Sequence, residues 1–261
     1  MTSSHVLFEN DGPMAVLTFN RPEARNAMTW EMYQAVVDVC AAVESDTSVR
    51  VLILRGAGGK AFVAGTDIAQ FQTFSTAQDG LDYERRIDAV IDALESVSKP
   101  TIAQIDGATT GGGLALAVAC DLRICTADSR FGVPIARTLG NCLSAANHAR
   151  CLDLIGPARL KDLLFTGRLI DGQEALAAGL VNRVVERSDL EEAVRATAET
   201  IAANAPLTVK ASKEMVRRIL RHRRMPAVDG HDLIVDCYTS ADFKEGVTAF
   251  LAKRPPQWTG S

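Results

Sequence analysis

Three consecutive glycines stand near the start of the segment TTGGGLALAVACD (residues 109–121), and seven apolar residues follow them. The run PTIAQIDG (residues 100–107) just before it is short and apolar, which predicts a buried strand, and the apolar run after the glycines predicts a helix. Glycine adopts backbone conformations that other residues avoid, so the chain can turn sharply between the two. The first amides of a helix lack partners within the helix and carry partial positive charge. The segment therefore offers backbone donors, with no acid or base before Asp121.

A second glycine-bearing turn has the same context. AGTDI (residues 64–68) also follows a predicted strand and precedes a helical pattern. Two such turns on adjacent strands can aim two N–H groups at one ligand oxygen, which is an oxyanion hole built without any side chain. The alternative, which the residues alone favour equally, is that these glycines only permit tight turns.

Predicted strands and helices alternate along the chain. Residues 14–20 and 49–55 are short apolar runs typical of strands, and between them a helical pattern begins after Thr29 as its N-cap. This alternation indicates the α/β class. The last part of the chain has only helical patterns, so we predict a core over residues 1–200 and a helical C-terminal region over residues 201–261.

The composition is that of a globular protein, with 47% hydrophobic and 23% charged residues in a chain of 261. Its formal net charge of −4 argues against a nucleic-acid partner, which a basic excess would favour. The first residues lack the pattern of a secretory signal, and no run of about 18 apolar residues occurs, so we expect a cytoplasmic protein with no membrane partner. The 6 cysteines form no CxxC pair and the 4 histidines no HExxH spacing, so we expect reduced thiols and no metal site.

Five segments carry a resemblance to a known family. They are NRPEARNAMT, FVAGTDIAQF, IDGATTGGGLALAVACDLRICTADSRFGVP, GLVNRVV and DFKEGVTAFLAKR. Their order resembles that of the crotonase, or enoyl-CoA hydratase/isomerase, family, and the resemblance extends from about Val6 to Trp258. It implies an α/β fold in which ββα units form a spiral, with a helical C-terminal region that makes a homotrimer or a dimer of trimers. It also implies an acyl-CoA substrate, with coenzyme A as part of the thioester and no permanently bound cofactor.

The resemblance implies site residues position by position. The oxyanion-hole donors correspond to the backbone N–H groups of Thr66 and Gly112, which would hold the thioester oxygen as it becomes an enolate. The positions that match the CoA-binding segments are Ala24, Arg25, Ala27, Ala64, Asp67, Ile68, Phe250 and Lys253. For Asp67 a second interpretation, a helix N-cap, stays open.

The chain departs from the family's hydratases at two positions. Those hydratases carry two glutamates that position water and shuttle its proton, and the matching positions here are Ala115 and Ile135. Because neither side chain transfers protons, the two-glutamate mechanism is not expected. The polar candidates nearby are Arg137, which can hold a carboxylate, and Asn141, which can orient a water or a carbonyl. We expect an apolar pocket lined by Ala115, Ile135 and Leu139.

Three functions agree with this pattern. The first is a lyase or isomerase of fatty acid metabolism that holds an enolate in the oxyanion hole and uses a different acid/base set. The second is decarboxylation of a malonyl-type CoA ester, in which loss of CO2 generates the enolate without a base and Arg137 or Thr66 seats the carboxylate. The third is a protein that binds acyl-CoA without catalysis.

Overall fold

A computed structural model describes residues 5–261. The strands are β1 Val6–Asp11, β2 Met14–Phe19, β3 Val51–Gly56, β4 Ala61–Val63, β5 Thr101–Ile105, β6 Ala108–Thr110, β7 Leu122–Thr126, β8 Arg130–Gly132 and β9 Arg183–Val185. The helices are α1 Trp30–Ser45, α2 Ala77–Ser96, α3 Gly112–Ala119, α4 Ile135–Thr138, α5 Ala145–Thr166, α6 Gly172–Ala178, α7 Leu190–Ala203, α8 Pro206–His222, α9 His231–Thr239 and α10 Ala241–Leu251.

The strands form two sheets. The larger has the order β1-β2-β3-β5-β7-β9, in which β1 and β2 are antiparallel and the later neighbours are parallel. The smaller is parallel, with the order β4-β6-β8. Each turn of the chain adds one strand to each sheet and then a helix, as in β3-β4-α2 and β5-β6-α3. The predicted spiral of ββα units is confirmed.

The large sheet is buried on both faces, which explains why its parallel strands are almost continuously apolar. One face belongs to the main core, which it shares with α1, α2 and α3. The other face packs against α7, and this second core consists of Met14, Val51, Ile53, Ile102, Ile124, Leu190, Val194 and Ala198. Alternate residues of the central strands therefore point into different cores.

Local signals in the sequence fix several helix boundaries. Thr29 caps α1 as predicted, because its side chain accepts a hydrogen bond from the N–H of Met32. A capping box between Thr76 and Asp79 begins α2. The long run α5 breaks at Gly156, where φ is 70°, immediately before a proline.

Three helices, α8 to α10, follow α7 at the C-terminal end, as the helical patterns predicted. Residue 200 lies in the last turn of α7, and residues 1–4 of the predicted core lie outside the described part of the chain, so the division into 1–200 and 201–261 stays a prediction. Within residues 5–261, no helix is long and apolar enough to cross a membrane, and no group of three or more His, Cys, Asp or Glu side chains is placed to hold a metal ion.

Candidate functional site

One cavity lies beside the ends of β4 and β6, between α2, α3, α4 and α10. The structure brings together in its wall nine of the residues singled out from the sequence: Ala64, Thr66, Ile68, Gly112, Ala115, Ile135, Leu139, Asn141 and Phe250. The wall also contains Glu84, Tyr83 and Asn147, and none of the described residues that line it is a lysine, arginine or histidine. The cavity is mainly apolar, with a few polar groups directed toward it.

The backbone N–H of Thr66 has no hydrogen-bond acceptor within residues 5–261. Thr66 forms an isolated parallel bridge with Met28, in which the N–H of Met28 donates to Gly65 O and the N–H of Asp67 donates to Met28 O, both at 2.9 Å. In a parallel bridge the flanking residues make these bonds, so the N–H of the middle residue points to the opposite side. At Thr66 the donor is therefore left for another acceptor.

The backbone N–H of Gly112 is also without an acceptor in the described part of the chain, because Gly112 is the first residue of α3. Gly111 before it has φ 54° and ψ −120°, a conformation that favours glycine. A Cβ on Gly113 would lie 2.0 Å from the carbonyl oxygen of Val63. A Cβ on Gly112 would lie 3.3 Å from Thr66 Oγ1, so the start of α3 packs directly against the turn that contains Thr66.

The hydroxyl of Thr66 is held by two tyrosines. Its Oγ1 shares hydrogen bonds of 2.8 Å with Tyr33 Oη and with Tyr83 Oη. Burial raises the pKa of both phenols, so they stay neutral. This network fixes the Thr66 side chain, which makes it a support for the turn and not a free group for seating a carboxylate.

Sequence reasoning missed Glu84, a buried carboxyl in the cavity wall. Its side chain accepts hydrogen bonds from Tyr238 Oη at 2.6 Å and from the N–H of Ser144 at 3.1 Å. Burial is the main cause that raises the pKa of Glu84 to about 8. The sequence does contain a signal, since the helical spacing of Gly80, Glu84, Ile87 and Ile91 places one acid on the apolar face of α2.

Asn141 contacts Tyr238, the tyrosine that donates to Glu84. Its Nδ2 donates to Tyr238 Oη at 3.1 Å, while its Oδ1 is buried and has no partner among residues 5–261. An unsatisfied buried acceptor in the wall of a cavity is suited to a donor on a bound ligand. The geometry agrees with the predicted orienting role, which stays a prediction.

The segments predicted to bind CoA lie next to each other. The N–H of Ala64 donates to the carbonyl of Arg25 at 3.1 Å, which joins the turn containing Ala24, Arg25 and Ala27 to the turn containing Ala64. Asp67 is an N-cap, because its Oδ1 accepts from the N–H of Ala69 at 3.2 Å, and it also pairs with Arg21 at 3.2 Å. Of the other predicted positions, Ala64, Ile68 and Phe250 line the cavity.

Six predicted site residues do not line the cavity, namely Ala24, Arg25, Ala27, Asp67, Arg137 and Lys253. Arg137 is exposed, and its Cβ lies on the side of α4 that faces Gly167. The reason is the helical spacing of this single turn, in which Ile135, Thr138 and Leu139 share the face toward the cavity. Arg137 is therefore not among the described residues that line the cavity, and its role in holding a carboxylate stays a prediction. Lys253 is exposed beyond the end of α10 and does not line the cavity.

Comparison with known proteins gives a consistent result. A family model described as enoyl-CoA hydratase/isomerase matches residues 9–261. The chain is 36% identical over 255 residues to a short-chain-enoyl-CoA hydratase of Clostridium acetobutylicum, covering 97% of each chain. An enoyl-CoA hydratase/carnithine racemase structure from Magnetospirillum magneticum matches with TM-score 0.81 and 34% identity, over 100% of this chain and 97% of that one. A methylmalonyl-CoA decarboxylase structure in complex with 2-nitronate-propionyl-CoA matches with TM-score 0.91 and 28% identity over the whole of both chains.

Proposed function

Because the chain belongs to the enoyl-CoA hydratase/isomerase family, we propose that its cavity binds the acyl part of a CoA thioester and stabilises the enolate of that thioester. The observation that carries this proposal is the pair of N–H groups, of Thr66 and Gly112, that border one cavity and have no acceptor within residues 5–261. Leaving two such donors unpaired costs free energy, and a negatively charged oxygen between them removes that cost. The two donors are fixed before the reaction, so they stabilise charge without reorganising.

We propose that the CoA part of the ligand binds along the two turns next to the cavity. The turn of residues 22–27 and the turn of residues 64–68 are joined by the Ala64–Arg25 hydrogen bond, and the second turn contributes Ala64, Thr66 and Ile68 to the cavity wall. Phe250 lines the cavity from the C-terminal helix while remaining 49% exposed, as suits a side chain that covers a bound ligand. Arg25 and Lys253 are both exposed, so their charges are available to phosphate groups.

The reaction proposed is proton transfer at the carbon next to the thioester, the chemistry of lyases and isomerases that act on enoyl-CoA. Ala115 and Ile135 line the cavity but transfer no protons, so the two-glutamate addition of water does not apply. Support for an enoyl-CoA substrate comes from the relative in Clostridium acetobutylicum, which is named a short-chain-enoyl-CoA hydratase.

Decarboxylation is the second candidate. It is favoured by the likeness to a methylmalonyl-CoA decarboxylase, at TM-score 0.91. It is disfavoured by the wall of the cavity, in which no described residue is cationic and from which Arg137 is excluded. A carboxylate on the acyl group would lose its hydration there without gaining a counter-ion.

Deuterium incorporation tests the proposal. The purified protein is incubated in D2O with crotonyl-CoA, 3-butenoyl-CoA or methylmalonyl-CoA, and the products are analysed by mass spectrometry. We expect deuterium at carbon positions of the two enoyl esters, because each forms an enolate that takes up solvent deuterons. Release of CO2 from methylmalonyl-CoA alone would favour the second candidate. Tight binding of all three esters with no exchange and no CO2 would show a non-catalytic acyl-CoA-binding protein.

An assembly of subunits is a further part of the proposal. The C-terminal helices and the loop between α8 and α9 leave large apolar side chains exposed, namely Leu207, Met215, Val216, Ile219, Met225, Val228 and Leu233. Exposed apolar patches of this kind are typical of interfaces. We expect light scattering coupled to size exclusion to give three or six times the chain mass of 28.0 kDa. A mass equal to that of one chain would contradict the predicted homotrimer or dimer of trimers.

A further inference from the structure

We propose that the carboxyl group of Glu84 is the single proton-transfer group of this site and replaces both of the absent glutamates. The inference rests on the proposed enolate chemistry and identifies the group that accepts and donates the proton in it. Glu84 lies on α2, a different element from the helix starts that contain Ala115 and Ile135. It is 4% exposed and shares the cavity wall with Thr66 and Gly112.

The carboxyl is oriented by groups from two other elements. Tyr238 on α9 donates to Oε1 at 2.6 Å, and the N–H of Ser144, at the start of α5, donates to Oε2 at 3.1 Å. Gly80 allows the first of these contacts, because a Cβ there would lie 2.6 Å from the Cβ and Cγ of Tyr238. A glycine in the first turns of α2 therefore lets α9 approach closely enough to hold Glu84.

A second glutamate on α2, Glu95, shows how a carboxyl with a structural role differs from Glu84. Glu95, three turns further along, is partly buried, but it forms ion pairs of 2.9 Å with Arg150 and 2.8 Å with Arg224. Glu84 has no cationic partner in the described part of the chain, and its hydrogen-bond donors are a phenol and an amide. A buried carboxyl without a counter-ion lowers stability, so its presence in a cavity indicates a chemical role.

The groups that face Glu84 are neutral or acidic. They are the phenols of Tyr33, Tyr83 and Tyr238, the carboxyl of Asp88 and the thiol of Cys142. Burial, with a smaller contribution from the charge of Asp88, raises the pKa of Glu84 to about 8, although the hydrogen bonds from Tyr238 and Ser144 lower it. Both the protonated and the ionised forms of Glu84 therefore exist near neutral pH. A group of this kind can take a proton and return it within one turnover.

The proposed step needs no water and no other reactant. The Glu84 carboxylate takes a proton from the α-carbon of a 3-enoyl thioester, and the electron pair of that C–H bond moves toward the thioester oxygen. The Thr66 and Gly112 N–H groups hold the resulting negative oxygen. The protonated Glu84, whose proton exchanges with solvent, then gives a proton to the γ-carbon, the double bond moves to the α,β position, and the carboxylate is restored. One carboxyl suffices because acceptance and donation follow each other.

The Glu84→Gln variant tests the inference, with Asp82→Asn, an exposed carboxyl on the same helix, as the matched control. Glutamine has the shape of the neutral carboxyl, so we expect the variant to fold and to bind crotonyl-CoA as the wild type does. We expect its rates of deuterium exchange and of 3-butenoyl-CoA isomerisation to fall by roughly 100- to 10,000-fold. The Asp82→Asn variant is expected to retain both rates.

A second variant tests the orientation of Glu84. Tyr238→Phe removes a hydrogen bond that lowers the pKa of Glu84, so we expect the rise of kcat/KM with pH to shift toward higher pH than in the wild type. An active wild type whose Glu84→Gln variant keeps its rate would overturn this inference alone. A wild type that exchanges no carbon-bound protons would overturn the proposed function, and this inference with it.

Discussion

The Gly112→Ala variant is expected to lose roughly 100- to 1,000-fold in kcat/KM on whichever thioester the wild type processes. A Cβ at this position would lie 2.5 Å from Tyr33 Oη and 3.3 Å from Thr66 Oγ1, so the start of α3 must move away from the turn that contains Thr66. That movement separates the two N–H groups that are proposed to bind one oxygen. Steady-state kinetics should show the loss mainly in kcat, because the contact strengthens as negative charge develops.

Two further variants show whether the clash of the new Cβ causes the loss of kcat in Gly112→Ala. Gly230→Ala is the matched control, because its Cβ would meet only the Ala145 Cβ at 3.5 Å, an ordinary contact, and it should leave kcat unchanged. The double variant Tyr33→Phe/Gly112→Ala removes the oxygen that the new Cβ meets, and we expect it to recover part of the lost rate. If Gly112→Ala keeps its kcat within about threefold of the wild type, the assignment of its N–H to the oxyanion hole is wrong.

The Glu84→Gln variant is expected to gain thermal stability over the wild type, and to gain more at pH 8 than at pH 5. The pKa of Glu84 is about 8 in the folded protein, against 4.5 for an ordinary glutamate. Between these values the folded chain holds a proton that the unfolded chain releases, so rising pH favours unfolding. Over the three pH units from pH 5 to pH 8, the free energy of unfolding of the wild type falls by about 3 to 4 kcal/mol relative to that of the variant. This corresponds to a difference on the order of 10 °C in Tm.

Scanning calorimetry at pH 5 and pH 8 measures this difference, and Glu95→Gln provides a control of opposite sign. Hydrogen bonds and charge pairing with Arg224 and Arg150 lower the pKa of Glu95 to about 2 against the effect of its burial, so its ionised form stabilises the folded chain above the ordinary glutamate pKa. The Glu95→Gln variant should therefore have a lower Tm at both pH values. A Tm difference between Glu84→Gln and wild type that is the same at pH 5 and pH 8 would contradict the raised pKa of Glu84.

Much of the fold follows from local patterns. Apolar runs predicted the central strands β2, β3 and β5, and the Thr29 cap predicted where α1 begins. The spiral of ββα units was predicted only from the resemblance, since strands of three residues such as β4 and β6 are too short to show a period. The oligomeric state, the location in the cytoplasm and the absence of a nucleic-acid partner stay predictions.

The site was predictable only in part, and for physical reasons. Thr66 and Gly112 lie within glycine motifs whose local geometry the sequence encodes. Glu84 could not be assigned, because its role depends on which face of α2 meets the cavity. It also depends on Tyr238 of α9, which contacts it from 154 residues later in the chain. Arg137 was proposed from its closeness in sequence to Ile135, but the single turn of α4 directs it to the surface.

The most direct test of the proposed oxyanion hole is a crystal structure of the protein with an unreactive acyl-CoA analogue. We expect a thioester oxygen about 2.7–3.1 Å from the backbone nitrogens of both Thr66 and Gly112, with the Glu84 carboxyl facing the carbon next to the thioester. A thioester oxygen that points away from these two nitrogens, with the acyl chain outside the cavity, would contradict the proposed oxyanion hole.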